Sequence, residues 1–203
     1  MEVGEQVALS ALGFTPETVI KAYLNGYFPM AGARGDIAWR APEQRCLIPI
    51  DTYKLRKSLA RIVKQAPFEI RVNSAFEEVM RGCADRDETW ISEDVVSVYT
   101  RLHTMGIAHS VEAWQDGKLA GGLYGIALGR YFATESQFFR VPNAGQVAFV
   151  HTFQLLRERG FLLHDVQFKT PFLEQFGAFE IPRHDFRLQL TRALVQRAEF
   201  GAS

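Results

Sequence analysis

The sequence has little cysteine, no long hydrophobic run and no excess of charge of either sign. Cys46 and Cys83 are the only cysteines among 203 residues, too few for the disulfide framework of a small secreted domain. Lysine and arginine together number 23, as do aspartate and glutamate, so a nucleic acid would have to bind a local patch. No apolar run could span a bilayer, and the first residues lack the regions of a signal peptide. We therefore expect a cytoplasmic protein.

Several signatures of catalysis are also absent. The five histidines show no metal-ligand spacing with one another or with the cysteines. No G-x-S-x-G nucleophile elbow, no G-x-x-x-x-G-K-[ST] loop and no G-x-G-x-x-G turn occurs. These absences argue against a serine-hydrolase triad and a nucleotide-phosphate loop, and we expect a metal-free protein.

Apolar residues make up 47 % of the chain and include sixteen phenylalanines, enough for a substantial core. The Thr15-Pro16-Glu17 segment predicts a helix start, and Asp116-Gly117 predicts a type I′ turn between two alternating strands. Strands are predicted at 46–50, 68–73, 108–115, 118–128, 130–139 and 161–168, and helices at 15–26, 52–65, 74–82, 92–106, 143–160, 170–177 and from about 183, with Asn73 or Ser74 capping the third helix. This order predicts an α+β or mixed α/β fold.

A carboxylate and an amide lie two residues apart in the predicted strand at 161–168. Asp165 and Gln167 would project to the same face, with Val166 on the opposite one. Such a pair suits a reactive site. It is equally explained by an aspartate that caps the next helix and a glutamine at a sheet edge.

The stretch from Gly121 to Arg140 combines four glycines with a polar pair among aromatic residues. Repeated glycine in a strand indicates that another backbone or a ligand approaches closely. Strand alternation would direct Glu135 and Ser136 to opposite faces, so one of them would face a cavity. A carboxylate in apolar surroundings needs a cation, a ligand ammonium or several hydrogen-bond donors. The alternative is a surface glutamate in a salt bridge.

A third feature is a basic helix. Lys57, Arg61 and Lys64 lie at helical spacing on one face, and no acid interrupts the stretch between Asp51 and Glu69. A solvated charged face explains this pattern. A surface that binds a phosphate backbone explains it as well.

Seven motifs occur in one order along the chain, from about residue 10 to residue 187. They are Tyr23-x-x-Gly26-x-Phe28-Pro29, Thr89-Trp90-Ile91, His109-Ser110-Val111-Glu112-x-Trp114, Gly121-Gly122-Leu123-Tyr124-Gly125, Glu135-Ser136, Asp165-x-Gln167 and Gly177-Ala178-x-Glu180-Ile181-Pro182-Arg183. Each motif alone is weak. Together they resemble the leucyl/phenylalanyl-tRNA–protein transferases.

The resemblance implies a small N-terminal domain, residues 1–44, and an acetyltransferase-like (GNAT) domain, residues 45–203, with a mostly antiparallel central sheet flanked by helices. It implies that an amino acid of the Leu, Phe or Met class moves from its charged tRNA to the α-amino group of a protein that begins with Arg or Lys, which marks that protein for degradation. It also implies a cytoplasmic enzyme without metal or soluble cofactor, and we expect a monomer.

The resemblance also assigns roles to residues. Asp165 would hold or deprotonate the attacking ammonium, and Gln167 would orient it or support the developing charge. Glu135 would bind the ammonium of the transferred amino acid, and Trp90 would stack on the terminal adenine. The rest of the substrate pocket would comprise Met30, Leu123, Phe132, Gln137 and Phe139. The tRNA acceptor stem would contact Lys57, Arg61 and Lys64.

Two residues of this pocket depart from the family's pattern. Met30 stands where a tryptophan is usual, and Gln137 where a methionine is usual, so the preferred amino acid is left open.

Two other functions also stay open: an acyl-CoA N-acyltransferase on the same fold, and a non-catalytic module that binds tRNA or protein N-termini. The first lacks the pyrophosphate loop it would need, since Pro142 removes an N–H donor there.

Overall fold

The computed structural model describes residues 9–32 and 36–201. The first eight residues, which bear on the signal-peptide expectation, lie outside these ranges, as do the outer ends of both expected domains. Helices described from end to end are α1 Pro16–Leu24, α2 Lys57–Gln65, α3 Phe76–Ala84, α4 Glu93–Thr104, α5 Ala144–Glu158, α6 Pro171–Glu174 and α7 Arg183–Leu194. None of them is long and apolar enough to cross a membrane.

The strands form two sheets. They are β1 Phe28–Ala31, β2 Ile37–Arg40, β3 Gln44–Leu47, β4 Glu69–Val72, β5 Ala108–Gln115, β6 Lys118–Leu128, β7 Tyr131–Phe139, β8 Leu163–Gln167 and β9 Phe179–Pro182. β1 and β2 pair with each other, and the other seven form one sheet in the order β4-β5-β6-β7-β8-β3-β9. β7 and β8 are the parallel neighbours in this sheet, and its other neighbours are antiparallel. The predicted α+β class with a mostly antiparallel sheet is therefore confirmed.

Local signals located several elements correctly. The Thr15 hydroxyl accepts a hydrogen bond from Thr18 N and caps α1, and Ser92 caps α4 in the same way. Asp116 and Gly117 both have positive φ, 52° and 71°, as a type I′ turn requires. β5, β6 and β7 form the predicted meander.

Two boundaries differ from the prediction because of tertiary contacts. α2 begins at Lys57 rather than near residue 52. The preceding segment is held outside the helix, since Lys54 N donates to Phe176 O and the Tyr53 ring packs on Phe153. β3 ends at Leu47 rather than residue 50. It lies between two strands, and Pro49 has no N–H to donate to either.

The predicted cap of α3 is also wrong. Neither Asn73 nor Ser74 caps the helix with its side chain; Ala75 occupies the cap position. The carboxylate of Glu112, on β5, instead accepts hydrogen bonds from the backbone N–H groups of Ser74 and Ala75. The buried carboxylate thereby satisfies the N–H of the cap residue, one of the donors that the start of a helix leaves open, and its negative charge is favourable at that end.

Two apolar clusters cover the two faces of the large sheet. The first packs α1, α3, α4 and α7 against the sheet and includes Val19, Tyr99 and Tyr131. The second packs α2, α5 and the α6 segment against the opposite face and includes Phe149 and Phe153. Residues of α1 share the first cluster with residues of the large sheet, and the division after residue 44 stays a prediction.

The parallel pairing of β7 and β8 is short. It joins Tyr131 to Leu163, Phe132 to His164 and Ala133 to Asp165. Beyond Ala133, β7 continues beside β6 to Phe139, whereas β8 ends at Gln167. The two strands therefore part at their carboxyl ends. In sheets with parallel strands, this is where ligands commonly bind.

Candidate active site

Asp165 is the most completely bonded side chain at the point where the strands part. It has no exposed surface. Its Oδ1 accepts from Arg45 Nε at 2.8 Å and from Gln167 N at 2.9 Å. Its Oδ2 accepts from Arg45 Nη2 and from the Tyr131 hydroxyl, both at 2.6 Å. A carboxylate offers about four lone-pair sites, so these donors occupy its whole accepting capacity.

Arg45 is the buried partner of Asp165. Its guanidinium lies between the rings of Phe28 and Phe186, at 4.4 and 4.5 Å from their centroids, and Nη1 donates to Gly26 O. Burial acts to lower the pKa of Arg45, but the adjacent Asp165 carboxylate holds that pKa above its usual value, so Arg45 stays charged. The ion pair and its contacts thus connect five elements: β1, β3, β8, α7 and the segment that follows α1.

The sequence prediction missed Arg45 because the predicted strand started at Cys46. A signal was available. A strand that starts two residues earlier directs Arg45 to the same face as the buried Leu47, which places a cation inside the protein and requires an anionic partner. The helix-capping explanation of Asp165 is wrong, because Thr170 caps α6. The sheet-edge explanation of Gln167 is also wrong, since β8 lies between β7 and β3.

Gln167 ends β8 in a left-handed backbone conformation, with φ 60°. That conformation is uncommon for a residue other than glycine, and the bond from its N–H to Asp165 Oδ1 supports it here. Gln167 is 9 % exposed, and its Nε2 has no hydrogen-bond partner in the part of the chain that the structure describes. Asp165 and Gln167 are therefore adjacent, with the carboxylate sealed in the core and the amide free to donate.

Glu135 lies at a β-bulge. Tyr124 is opposite Ser136 and Gly125 is opposite Thr134, which leaves Glu135 as the extra residue of β7. The expectation that Glu135 and Ser136 face opposite sides is wrong for this reason. Glu135 contacts Tyr23 and Tyr99, and Ser136 accepts from Arg86 beside α3, on the same face of the sheet.

The Glu135 carboxylate has two neutral donors and no cation partner in the described residues. The Tyr23 hydroxyl donates to Oε1, and the Tyr99 hydroxyl donates to Oε2 at 3.3 Å. Burial raises the pKa of Glu135 to about 7, and these hydroxyl groups oppose part of that rise. The salt-bridge explanation of Glu135 is therefore wrong in the described part of the chain.

A cavity of about 470 Å³ opens between the separated ends of β7 and β8. This size is within the range of ~300–1,000 Å³ typical of ligand sites. Its wall includes Glu135, Gln137 and Gln167, together with Arg86, Thr134, Ser136, Phe149, Val166, Thr170, Phe172 and Leu173. Gln137 Oε1 is buried, and, like Gln167 Nε2, it has no hydrogen-bond partner among the described residues. The cavity therefore lies beside two buried amide atoms, one acceptor and one donor, that lack partners in the described residues, and beside an apolar wall.

The other residues assigned to substrate lie outside this cavity. Leu123 and Phe132 are wholly buried in the second core cluster. Met30 and Trp90 pack, half-buried, against the first. Phe139 is 69 % exposed and lies in a neighbouring groove. Their contact with substrate stays a prediction.

The basic face of α2 is exposed, as its spacing indicated. Lys57, Arg61 and Lys64 all face solvent, whereas Leu59 is buried. None of the three cations forms an ion pair with a described residue.

Arg86, at the wall of the cavity, is a further cation that the sequence prediction missed. Within residues 9–32 and 36–201, no group of three or more His, Cys, Asp or Glu side chains could hold a metal ion.

Comparison with solved structures finds distant likenesses. L-PGS from Bacillus licheniformis is 13 % identical, with a TM-score of 0.42 over 74 % of this chain and 49 % of that one. An N-acetyltransferase from Thermoplasma acidophilum, in complex with coenzyme A, is 12 % identical, with a TM-score of 0.34 over 47 % of this chain and 77 % of that one. TM-scores this low support no inference.

Sequence comparison finds much closer relatives. A leucyl/phenylalanyl-tRNA–protein transferase of Chlorobaculum tepidum is 44 % identical over 189 residues, covering 91 % of this chain and 97 % of the relative. One of Gloeobacter violaceus is 47 % identical over 187 residues, covering 92 % and 97 %. The family model of leucyl/phenylalanyl-tRNA–protein transferase matches residues 47–191, and the model of the family's N-terminal domain matches residues 13–43. The chain belongs to the leucyl/phenylalanyl-tRNA–protein transferase family.

Proposed function

We propose that this aminoacyltransferase moves an apolar amino acid of the Leu, Phe or Met class from its tRNA to the α-amino group of a protein that begins with Arg or Lys, which marks that protein for degradation. The observation that carries the proposal is the cavity between β7 and β8, which is lined by both Glu135 and Gln167; the Gln167 backbone N–H donates to Asp165 of the buried ion pair. Family membership supports the reaction class.

The chemistry requires an amine that attacks an ester carbonyl and a donor for the oxyanion that forms. Gln167 Nε2 is a buried donor without a partner at the cavity, and we assign it to the ester carbonyl oxygen. Asp165 accepts four hydrogen bonds and has no exposed surface. We therefore propose that Asp165 orients Gln167 and does not remove a proton from the substrate.

Glu135 is assigned to the ammonium group of the transferred amino acid. A partly buried carboxylate with two neutral donors is stabilised when a cation comes close. Both oxygens already contact tyrosine hydroxyl groups, which fix the carboxylate before the substrate arrives. Bound ammonium would lower the pKa of Glu135 from about 7 and keep the group ionised at neutral pH.

The apolar wall of the cavity is assigned to the side chain of the transferred amino acid. Phe149, Val166, Phe172 and Leu173 supply this wall. Gln137 adds a buried hydrogen-bond acceptor, Oε1. A purely apolar side chain bound in the cavity has no donor for this oxygen. An unsatisfied buried group costs about 1–3 kcal/mol. We infer that Gln137 makes the cavity less selective for hydrocarbon side chains than an apolar residue would.

The tRNA acceptor stem is assigned to the exposed basic face of α2, formed by Lys57, Arg61 and Lys64. Contacts of this kind are made with phosphates, so they add affinity without reading sequence. We also propose that a monomer is active, in the cytoplasm, where charged tRNA is used.

The test is a transfer assay with purified protein, a peptide that begins with Arg and, in separate reactions, Leu-, Phe- and Met-tRNA. Peptide that gains one amino acid from at least one donor supports the proposal, and the relative rates give the preference. A parallel arm with acetyl-CoA as donor tests the acyl-CoA alternative. No transfer from any aminoacyl-tRNA, while a relative such as the Chlorobaculum tepidum protein is active in the same assay, would overturn the proposal.

A further inference from the structure

A groove of about 260 Å³ adjoins the cavity at the end of β7. We call it the Phe139 groove; its lining includes the exposed residues Arg86, Phe139 and Arg140. Arg86 and Gln137 line both hollows. The groove and the proposed active site are therefore immediate neighbours on the protein.

Phe139 presents its ring to solvent. It is 69 % exposed, whereas its neighbour Phe138 is buried against α3. A single exposed aromatic residue is ordinary on a protein surface. Here the exposed phenylalanine lines a groove together with two arginines, and aromatic and cationic side chains in one groove are the combination that binds single-stranded nucleic acid.

Neither arginine of the groove forms an ion pair within the described chain. Arg86 Nη2 donates to the Ser136 hydroxyl at 3.1 Å. Arg140 donates to Leu119 O at 3.3 Å, and its guanidinium lies 5.3 Å from the Phe138 ring centroid. Asp85 lines the same groove, so its lining carries two positive charges and one negative charge. This balance favours a polyanion and disfavours a peptide that begins with Arg or Lys.

We propose that the Phe139 groove holds the unpaired nucleotides that precede the terminal adenosine of the charged tRNA. One base stacks on Phe139, and the phosphates beside it contact Arg86 and Arg140. The groove thereby aims the ester-bearing end into the cavity. This inference rests on the proposed function and adds a site between the active site and the α2 contact with the acceptor stem.

The experiment compares three donors that carry the same amino acid: aminoacyl-adenosine, an aminoacyl trinucleotide with the tRNA 3′ sequence, and full aminoacyl-tRNA. The variants are Phe139→Ala and Arg140→Gln. For both, kcat/KM should fall about tenfold with the trinucleotide and the tRNA, as loss of one stacked base or one phosphate contact implies, and should stay within about twofold of wild type with aminoacyl-adenosine. Lys64→Gln should affect full tRNA alone.

Matched controls are Leu188→Ala, which removes a large apolar side chain that is 50 % exposed, and Lys118→Gln, which removes an exposed cation from the β5–β6 turn. Neither should change any of the three rates. Thermal unfolding checks that all variants are folded. All the substituted side chains are exposed, so little change in stability is expected.

Direct binding of uncharged tRNA gives a readout that does not need transfer. Arg140→Gln should weaken binding and reduce the slope of log K against log salt by about 0.7, the value for one phosphate of a single strand. Equal losses with all three donors, or no loss of tRNA binding, would overturn the inference. So would a rise confined to the KM for the peptide, which would assign the groove to the acceptor. If wild type binds tRNA through the groove but transfers nothing, the proposed function fails and the groove stands.

Discussion

Arg45 and Asp165 lie on adjacent strands of the large sheet and form a two-point ion pair, with Nε–Oδ1 at 2.8 Å and Nη2–Oδ2 at 2.6 Å. Their side chains are 1 % and 0 % exposed. A buried ion pair of this kind is maintained only when every donor and acceptor is satisfied. Here Tyr131 and the Gln167 N–H donate to the remaining sites of the carboxylate, and Gly26 O accepts one further hydrogen bond from the guanidinium. The pair therefore links the packing of the core to the position of the amide at the cavity.

Arg45→Met should destabilise the protein by about 3–5 kcal/mol, because it leaves the Asp165 carboxylate buried without its cation. Urea unfolding followed by circular dichroism measures the change. The double variant Arg45→Met/Asp165→Asn removes both charges and should recover much of the loss. A single variant as stable as wild type would show that the ion pair contributes little to the fold.

Gln167→Ala should lower kcat by about 10²–10³, the loss seen when one oxyanion donor is removed, while tRNA affinity stays at the wild-type level. Steady-state transfer kinetics and filter binding of tRNA measure the two effects. Gln167 Nε2 has no hydrogen-bond partner among residues 9–32 and 36–201, so stability should change little. Loss of turnover with intact binding supports catalysis. Unaltered behaviour in both assays would favour the non-catalytic binding module.

Asp165→Asn tests whether the carboxylate positions Gln167. The amide keeps the size of the side chain but cannot accept from all four donors. We expect lower kcat with the pH dependence of wild type, since no proton is assigned to Asp165. A changed pH profile, with one ionisation missing, would instead identify Asp165 as a general base.

Glu135 should make folding stability depend on pH. Its pKa is 4.5 in a model peptide and about 7 in the folded protein, so between these values the folded chain binds more protons than the unfolded chain. Its contribution to stability is present below pH 4.5 and is lost as pH rises towards 7. Because solvent reaches part of the side chain, we expect an effect on the order of 2 kcal/mol.

Glu135→Gln should remove this contribution to the pH dependence, which urea unfolding at a series of pH values can measure. The same substitution should raise the KM for aminoacyl-tRNA above pH 7, because the amide cannot pair with the ammonium group. A variant that keeps both the wild-type stability profile and the wild-type KM would contradict the assignment of Glu135.

The α2 cations should act through phosphates. Lys57→Gln, Arg61→Gln and Lys64→Gln should each weaken tRNA binding and reduce the slope of log K against log salt by about 0.9, the value for one duplex phosphate. Lys118→Gln is the matched control. If the salt slope stays unchanged in all three variants, the acceptor stem binds elsewhere.

Local sequence signals predicted those elements that are fixed by contacts between residues close to each other in the chain. The Thr15 and Ser92 caps each bond to an N–H three residues away, and the Asp116-Gly117 turn needs only positive φ at adjacent residues. These interactions do not depend on distant parts of the protein, so composition and spacing sufficed. The candidate pair Asp165 and Gln167 was found in the same way.

Contacts between distant residues decided the rest. Arg45 and Asp165 are 120 residues apart, Tyr23 and Glu135 are 112 apart, and Glu112 reaches across 38 residues to Ser74. No local pattern specifies which residue satisfies a buried charge, or where a bulge shifts the register of β7. By itself, the sequence determined the family, the residues that carry charge and most of the elements, but not the short strands β1, β2 and β9. Only the tertiary structure decided that Asp165 is sealed in the core and Gln167 faces the cavity, because burial and pairing depend on which strands lie side by side.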